Sequence, residues 1–164
     1  MVHKPNYAWR SKIVGVAKSW IDTPYHHGAK VKGVGCDCFG LIRGIWEEIY
    51  SGPEPEQPPV YTRDWAEASG EEHMLAAADR WMQKVDVADM FSGDVIMFRY
   101  AEGFIAKHAG ILIEDCRMIH AMDGRSVVNV YMGSWWKNRI AGVYSFLEPV
   151  ELAARLQMYS TPPN

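Results

Sequence analysis

The chain has 164 residues, enough for one domain with its own hydrophobic core and no need of staples. A hydrophobic share of 48%, a charged share of 23% and a formal net charge of -3 are ordinary for a globular protein and give no support to a nucleic-acid partner. No apolar run is long enough to cross a membrane, and the first residues lack the apolar core of a signal peptide, so synthesis in the bacterial cytoplasm without an export signal is expected.

Ile13, Val16, Ala17 and Trp20 recur at helical spacing and predict a first helix over residues 6 to 20, stopped by Asp22-Thr23-Pro24. Residues 25 to 35, YHHGAKVKGVG, read as a loop, with three glycines and no periodicity. From Asp37 the helical pattern returns, with Cys38, Leu41, Ile42, Ile45 and Ile49 on one stripe. Asp37 is a good N-cap, which puts Cys38 at the first helical position. The helix should end near Ser51-Gly52-Pro53, and GPEPEQPP at 52 to 59 reads as a stiff, extended linker. A further helix is expected within 63 to 84, with Leu75, Ala78, Trp81 and Met82 on its core side. Residues 53 to 92 then form an insertion inside a single domain, 1 to 164.

After Ser92-Gly93 the pattern changes to strands at Asp94–Arg99, His108–Glu114, Arg117–Ala121, Val127–Tyr131 and Gly142–Leu147. Helices first and short strands after argue an α+β fold, with N-terminal helices packed on a central antiparallel sheet of about five strands.

Cys36, Cys38 and Cys116 are the only cysteines, so any pairing leaves a free thiol, and Cys36 and Cys38 are too close in sequence for an easy disulfide. Free cysteines are mostly buried filler. Cys36 before the cap fits that role, and Cys116 in a turn is incidental. Cys38 sits differently. A helix N-terminus supplies partial positive charge and free N–H groups, which lower a thiol pKa and can hold an oxyanion.

A thiol nucleophile also needs a base held by an orienting group. His3 lies at a frayed end, His26 and His27 in the loop, and His73 in the charged part of the intervening helix. His108 and His120 each lie in a strand, twelve residues apart. They share a sheet face if the hairpin turn between them has an odd number of residues, as Glu114-Asp115-Cys116 would give. That face is expected to be the one on which the cysteine helix packs. Cys36, Cys38, Cys116, His108 and His120 could also ligate zinc, but a C-x-C pair lacks the usual two-residue gap, so no metal or other cofactor is called for. Trp135 and Trp136 are adjacent and should split, one toward the core and one outward.

The segments GCDCFGLIRGIW, SGDVIMF, KHAGILI and MIHA, in this order, resemble the NlpC family of cell-wall cysteine peptidases. The likeness runs from about residue 20 to 122, and the GCDC-x-G-L-x-R-G-x-W version resembles the branch carried by phages and gene-transfer particles. The resemblance implies a papain-like fold. It also implies hydrolysis of an amide bond in peptidoglycan stem peptides, at the D-γ-glutamyl–diamino acid link, with no cofactor. Cys38 matches the family nucleophile, His108 the base and His120 the third polar residue. Asp37 matches an acid that helps hold the free amine of the stem peptide. Tyr25 is a candidate for lining the site, and packing of the loop is an equal reading of it.

Phe39 stands where the family has Ser, in the same amine subsite, and His26, His27 and a single Gly28 replace its usual aromatic and double glycine. Stem peptides and phage tail proteins are the implied partners. The competing expectation is a catalytically silent subunit of a phage tail tip. Permuted acyltransferase relatives place His ahead of Cys, and here Cys38 comes first.

Overall fold

The computed structural model describes residues 5–58 and 70–160, and shows why the chain folds as a helical layer on a sheet. Helix α1, Tyr7–Ser19, begins at Asn6, whose side chain accepts the Trp9 N–H at 3.2 Å. A short hairpin follows, β1 at Lys30–Val31 and β2 at Gly35–Cys36, within the stretch expected to be loop. Helix α2 is Cys38–Tyr50, capped by Asp37 as the sequence predicts, and it ends on Ser51 at φ 52.

Helix α3 is His73–Trp81, inside the expected 63 to 84 window. Met82 does not continue it. Met82–Val85 is strand β3, and pairing with a partner strand outweighs helical spacing there. The part of that window at 63 to 69, like His3 and the last residue of the linker, Pro59, lies outside the described residues. A single 3₁₀ turn, Val87–Asp89, leads to β4 at Val95–Arg99, β5 at Ala106–Ile113, β6 at Arg117–Ala121 and β7 at Val127–Tyr131. A one-turn helix α4, Ser134–Lys137, strand β8, Ile140–Phe146, and helix α5, Pro149–Ser160, complete the order.

The fold class is α+β as expected, but the main sheet has six strands, in the order β3-β8-β4-β5-β6-β7, all neighbours antiparallel. Strand β3 is the addition. Side-chain alternation gives the sheet two apolar faces. Val95, Met97, Ala109, Ile111, Ile119 and Ala121 pack under the helical layer against Leu41, Ile42, Ile45 and Ile49 of α2. Ile96, Phe98, Leu112, Met118 and Val143 form a second cluster on the other face, covered by Met132, Trp136 and Ile140.

Two contacts fix α2 on this frame. The Trp20 ring lies where a Cβ on Gly44 would come within 2.2 Å, so only glycine lets α1 end this close to α2. The Trp20 indole N–H donates to Glu48 at 2.7 Å. Asp94, fully buried at the start of β4, takes the Ser145 hydroxyl at 2.5 Å, the Phe91 N–H at 2.7 Å and an ion pair with Arg10. It ties α1, β4 and β8 into one unit and accounts for the acid of the SGDVIMF segment.

Candidate active site

The site begins at the start of α2. Asp37 is 2% exposed. One carboxylate oxygen accepts the Gly40 N–H at 2.6 Å and the other the Gly28 N–H at 2.7 Å. The Asp37 N–H donates to the Ala29 carbonyl at 3.2 Å. That carbonyl would lie 1.8 Å from a Cβ on Gly40, so the glycine after Cys38-Phe39 is what lets the loop at 26 to 29 lie over the first turn. Asp37 is thus both helix cap and loop clasp, turned inward. His27 comes within 3.8 Å of the same carboxylate, a neighbour the spacing of the sequence did not announce.

Cys38 is half-buried, and its thiol lies 3.7 Å from the Lys107 carbonyl, which accepts from it. The backbone N–H of Ala109 faces the sulfur as well. These two groups flank His108 on one edge of β5. Leu112 bonds to Gly93 and Asp94 on the β4 side, so strand alternation turns the groups of 107, 109 and 111 toward β6. Pairing with β6 runs over Ile111–Ile113, opposite Ile119 to Arg117. Beyond it, the sulfur takes up the edge that β6 leaves. The nucleophile is seated on the strand that carries the histidine.

His108 and His120 share a face. The turn between β5 and β6 is Glu114-Asp115-Cys116, with positive φ at Asp115 and Cys116, and the register sets Ile111 against Ile119. The face differs from the expected one. Ala109 and Ile111 point at α2, so the even positions, with Leu112 and Met118, point to the other side of the sheet. Cys38 meets this side at the strand edge instead of from above the sheet.

His108 Nε2 lies 2.9 Å from His120 Nδ1 with the rings perpendicular. Gly110 stands beside this pair, where a Cβ would come within 3.1 Å of the Ile119 carbonyl and 3.3 Å of the His120 Cβ. Trp136 closes the far side. Its ring stacks on His108 at 5.5 Å and 28°, and meets His120 nearly perpendicular at 5.2 Å. Trp135 is 52% exposed, so the adjacent pair splits as predicted.

Charge is unwelcome here. Burial pushes the Cys38 thiol up to about 12, and the negative charge of Asp37 adds to it, against backbone N–H groups of Ala109, Phe39 and Cys38 that pull it down. The helix N-terminus does not give the lowered thiol expected from sequence, because desolvation outweighs it. Burial holds His108 down to about 3, with His120 contributing, and His120 down to about 4. Burial thus favours the uncharged form of both the thiol and the imidazole.

Phe39 is half-buried and packs under the Arg43 guanidinium at 5.8 Å. It borders an apolar cavity of about 220 Å³ with Trp46, Trp81 and Met97. Tyr25 bridges to Cys36 and donates its N–H to the Arg125 carbonyl, which anchors the lead-in loop beside β2. Cys36 is fully buried and Cys116 exposed in its turn. Among the described residues, no three His, Cys, Asp or Glu side chains converge on a metal position, and no helix is long and apolar enough to cross a membrane.

The family model of the NlpC/P60 family matches residues 22–145. The chain belongs to the NlpC/P60 family. The matched span holds every residue of the site just described. Gamma-DL-glutamyl hydrolase of Bacillus subtilis strain 168 is 26% identical over 138 residues, which is 82% of this chain and 29% of that protein. The chain therefore spans under a third of that relative's length.

Solved NlpC/P60 structures share the fold. A Bacillus cereus family protein has a TM-score of 0.59 at 22% identity, covering 85% of this chain and 40% of that one. A lipoprotein-like family protein of Staphylococcus aureus Mu50 has 0.57 at 19%, covering 88% and 43%. The NlpC/p60 domain of the peptidoglycan hydrolase SagA has 0.56 at 22%, covering 84% and 98%.

Within this NlpC/P60 frame, the contact that sequence reasoning missed is Trp136 on the two imidazoles. Nothing in the local pattern of Ser134-Trp135-Trp136 signals which distant ring it meets.

Proposed function

We propose that this chain is a cysteine peptidase that hydrolyses an amide bond in peptidoglycan stem peptides, at the D-γ-glutamyl–diamino acid link. One observation carries the reading: the Cys38 sulfur is docked on the backbone groups that flank His108, whose Nε2 is already engaged by His120. That leaves His108 Nδ1 as the nitrogen for the thiol proton. The name of the Bacillus subtilis relative supports the γ-glutamyl bond, and that of SagA supports peptidoglycan as the polymer.

In this reading the Cys38 sulfur attacks the amide carbon while its proton passes to His108 Nδ1. The carbonyl oxygen becomes an oxyanion near the Cys38 backbone N–H at the start of α2. The C–N bond then breaks and the leaving amine takes the proton from His108. Water attacks the thioester, gives a proton to His108, and the C–S bond breaks to release the acid and restore the thiol. His120 holds the His108 ring and its tautomer throughout. With burial favouring the neutral form of both groups, proton transfer in this reading accompanies attack instead of preceding it.

The same burial is the feature that favours a silent binding subunit, since it disfavours a standing thiolate. A neutral pair is competent when the base takes the proton as the new bond forms. Association with phage-like particles rests on the GCDC-x-G-L-x-R-G-x-W pattern alone. The test is cleavage of purified stem peptides by wild type and Cys38→Ala. Release of the diamino-acid fragment by wild type and not by the variant supports the peptidase. Binding without cleavage by both supports the silent subunit, and cleavage by both removes Cys38 from the chemistry.

A further inference from the structure

We propose that Trp136 is a positioning residue for the catalytic pair: its indole fixes the pose of His108 and His120 and favours the imidazolium formed when Cys38 attacks. The proposal rests on the peptidase reading, but it can be tested without the peptide substrate.

The geometry is specific. The three ring centres of Trp136, His108 and His120 are separated by 5.5, 5.2 and 5.1 Å. The indole is nearly parallel to His108 and nearly perpendicular to His120, at 28° and 77°. Phe98 packs behind at 5.0 Å from Trp136 and 6.0 Å from His108. The second torsion of a histidine side chain is intrinsically broad, so a ring held by one hydrogen bond can swing. The stack removes that freedom and keeps Nε2 on His120.

The indole also supplies what the buried site otherwise lacks. When His108 takes the thiol proton, a positive charge appears beside the negative face of an aromatic ring, which attracts cations. Among the described residues, the titratable group that acts on the His108 ring is His120 from β6. Cys38 from α2 lies against the backbone on either side of His108, with Asp37 behind Cys38. Phe98 from β4 and Trp136 from α4 carry no charge. Arg139 stacks on Trp135 at 4.0 Å, and its guanidinium donates to the Tyr100 and Trp135 carbonyls. The aromatic face is therefore the group placed to meet the transient charge.

The experiment compares wild type with Trp136→Phe, Trp136→Leu and Trp135→Leu, each first checked for folding by near-ultraviolet circular dichroism. Three quantities are read: kcat and KM on a stem peptide, the iodoacetamide alkylation rate of Cys38 by peptide mapping, and the ring 15N shifts of His108 and His120. For Trp136→Leu, kcat should fall on the order of 10- to 100-fold with KM within about twofold, as expected of a misplaced reacting group. Alkylation should slow with it, and the 15N shifts should move from one fixed tautomer toward an averaged value. Trp136→Phe keeps a ring and should retain most of kcat, while Trp135→Leu should match wild type.

A folded Trp136→Leu with wild-type kcat, alkylation and 15N shifts overturns the proposal. So does a loss confined to KM or to thermal stability. If Trp136→Leu does not fold, Trp136→Met carries the comparison, filling the space without a ring. If wild type cleaves no stem peptide, the peptidase reading fails, and the alkylation rates and ring spectra still decide the role of Trp136.

Discussion

His108 Nε2 and His120 Nδ1 face each other across 2.9 Å with their rings perpendicular. One proton sits between these two nitrogens. If His108 donates it, His108 Nδ1 is a free acceptor for the Cys38 thiol, and His120 carries its own proton on Nε2. That second nitrogen is buried and has no hydrogen-bond partner among the described residues. The arrangement thus spends buried polar capacity on one task, fixing the tautomer of His108.

Replacing His120 tests this. His120→Leu keeps the volume buried but removes the acceptor, so His108 is free to carry its proton on the wrong nitrogen. A drop in kcat of about 10²- to 10⁴-fold is expected, with little change in KM, as for loss of an orienting group in a triad. His120→Asn retains a carbonyl acceptor and should lose less. Steady-state hydrolysis of a stem peptide measures both, and equal activity of the two variants would remove the tautomer argument.

The buried imidazoles also set a pH dependence of stability. Both have folded pKa values below the ordinary histidine value, about 3 for His108 and about 4 for His120. Between those values and about 6.5, the unfolded chain binds protons that the folded chain refuses. Stability is therefore full above about pH 6.5 and declines as pH falls through that window. The slope is at most about 1.4 kcal/mol per pH unit for each histidine, less for His108 in proportion to its exposure. Urea midpoints at pH 7 and pH 5 should differ more for wild type than for His108→Phe with His120→Leu. Parallel declines would mean that carboxylates, not these histidines, govern acid sensitivity.

Local patterns carried much of this architecture in the sequence. Asp37 before an apolar stripe placed Cys38 at the first residue of α2, and the three-residue turn over Glu114-Asp115-Cys116 put both histidines on one face. Which face could not be read, because alternation relates residues along a strand and says nothing of where a distant helix packs. The added strand β3 was hidden for a similar reason. Trp81 and Met82 continue a helical stripe, and only pairing of Met82 with Phe146 makes the chain extend there. The direction of the thiol pKa is not legible in the sequence, because a helix end is visible there and burial of a sulfur is not.

Gly110 offers a test of how tightly the pair is set. A Cβ there would press on the Ile119 carbonyl at 3.1 Å and the His120 Cβ at 3.3 Å. Backbone cannot yield cheaply, so Gly110→Ala should push β6 and the His120 ring outward. A stability loss of about 1–3 kcal/mol is expected from overpacking, with kcat falling further than the lost folded fraction explains. Thermal unfolding and kcat on the same samples separate the two. Unchanged kcat per folded molecule would mean that the sheet accommodates the methyl without moving His120.

Phe39 bears on which stem peptides are accepted. The family resemblance places a small hydroxyl here, beside the amine of the substrate. In this chain the ring packs under Arg43 and borders the cavity lined by Trp46, Trp81 and Met97. Asp37, the other residue of that subsite, already accepts from Gly28 and Gly40. The Asp37 carboxylate keeps acceptor capacity for an amine, but Phe39 adds no polar contact beside it, so the grip is weaker than the family pattern implies. Dependence on that amine should be weak, and kcat/KM should fall less than about a hundredfold, about 2.7 kcal/mol, when it is blocked. A greater loss would show that the amine is recognised by other groups. Phe39→Ser adds a hydroxyl but removes a half-buried ring, so a stability cost of about 2 kcal/mol is expected, roughly half that of a fully buried phenylalanine. At a temperature where the variant is folded, a sharper preference for the free amine would identify the ring as the cause of the relaxed recognition. Unchanged selectivity with the stability cost alone would assign Phe39 to packing between α2 and the cavity.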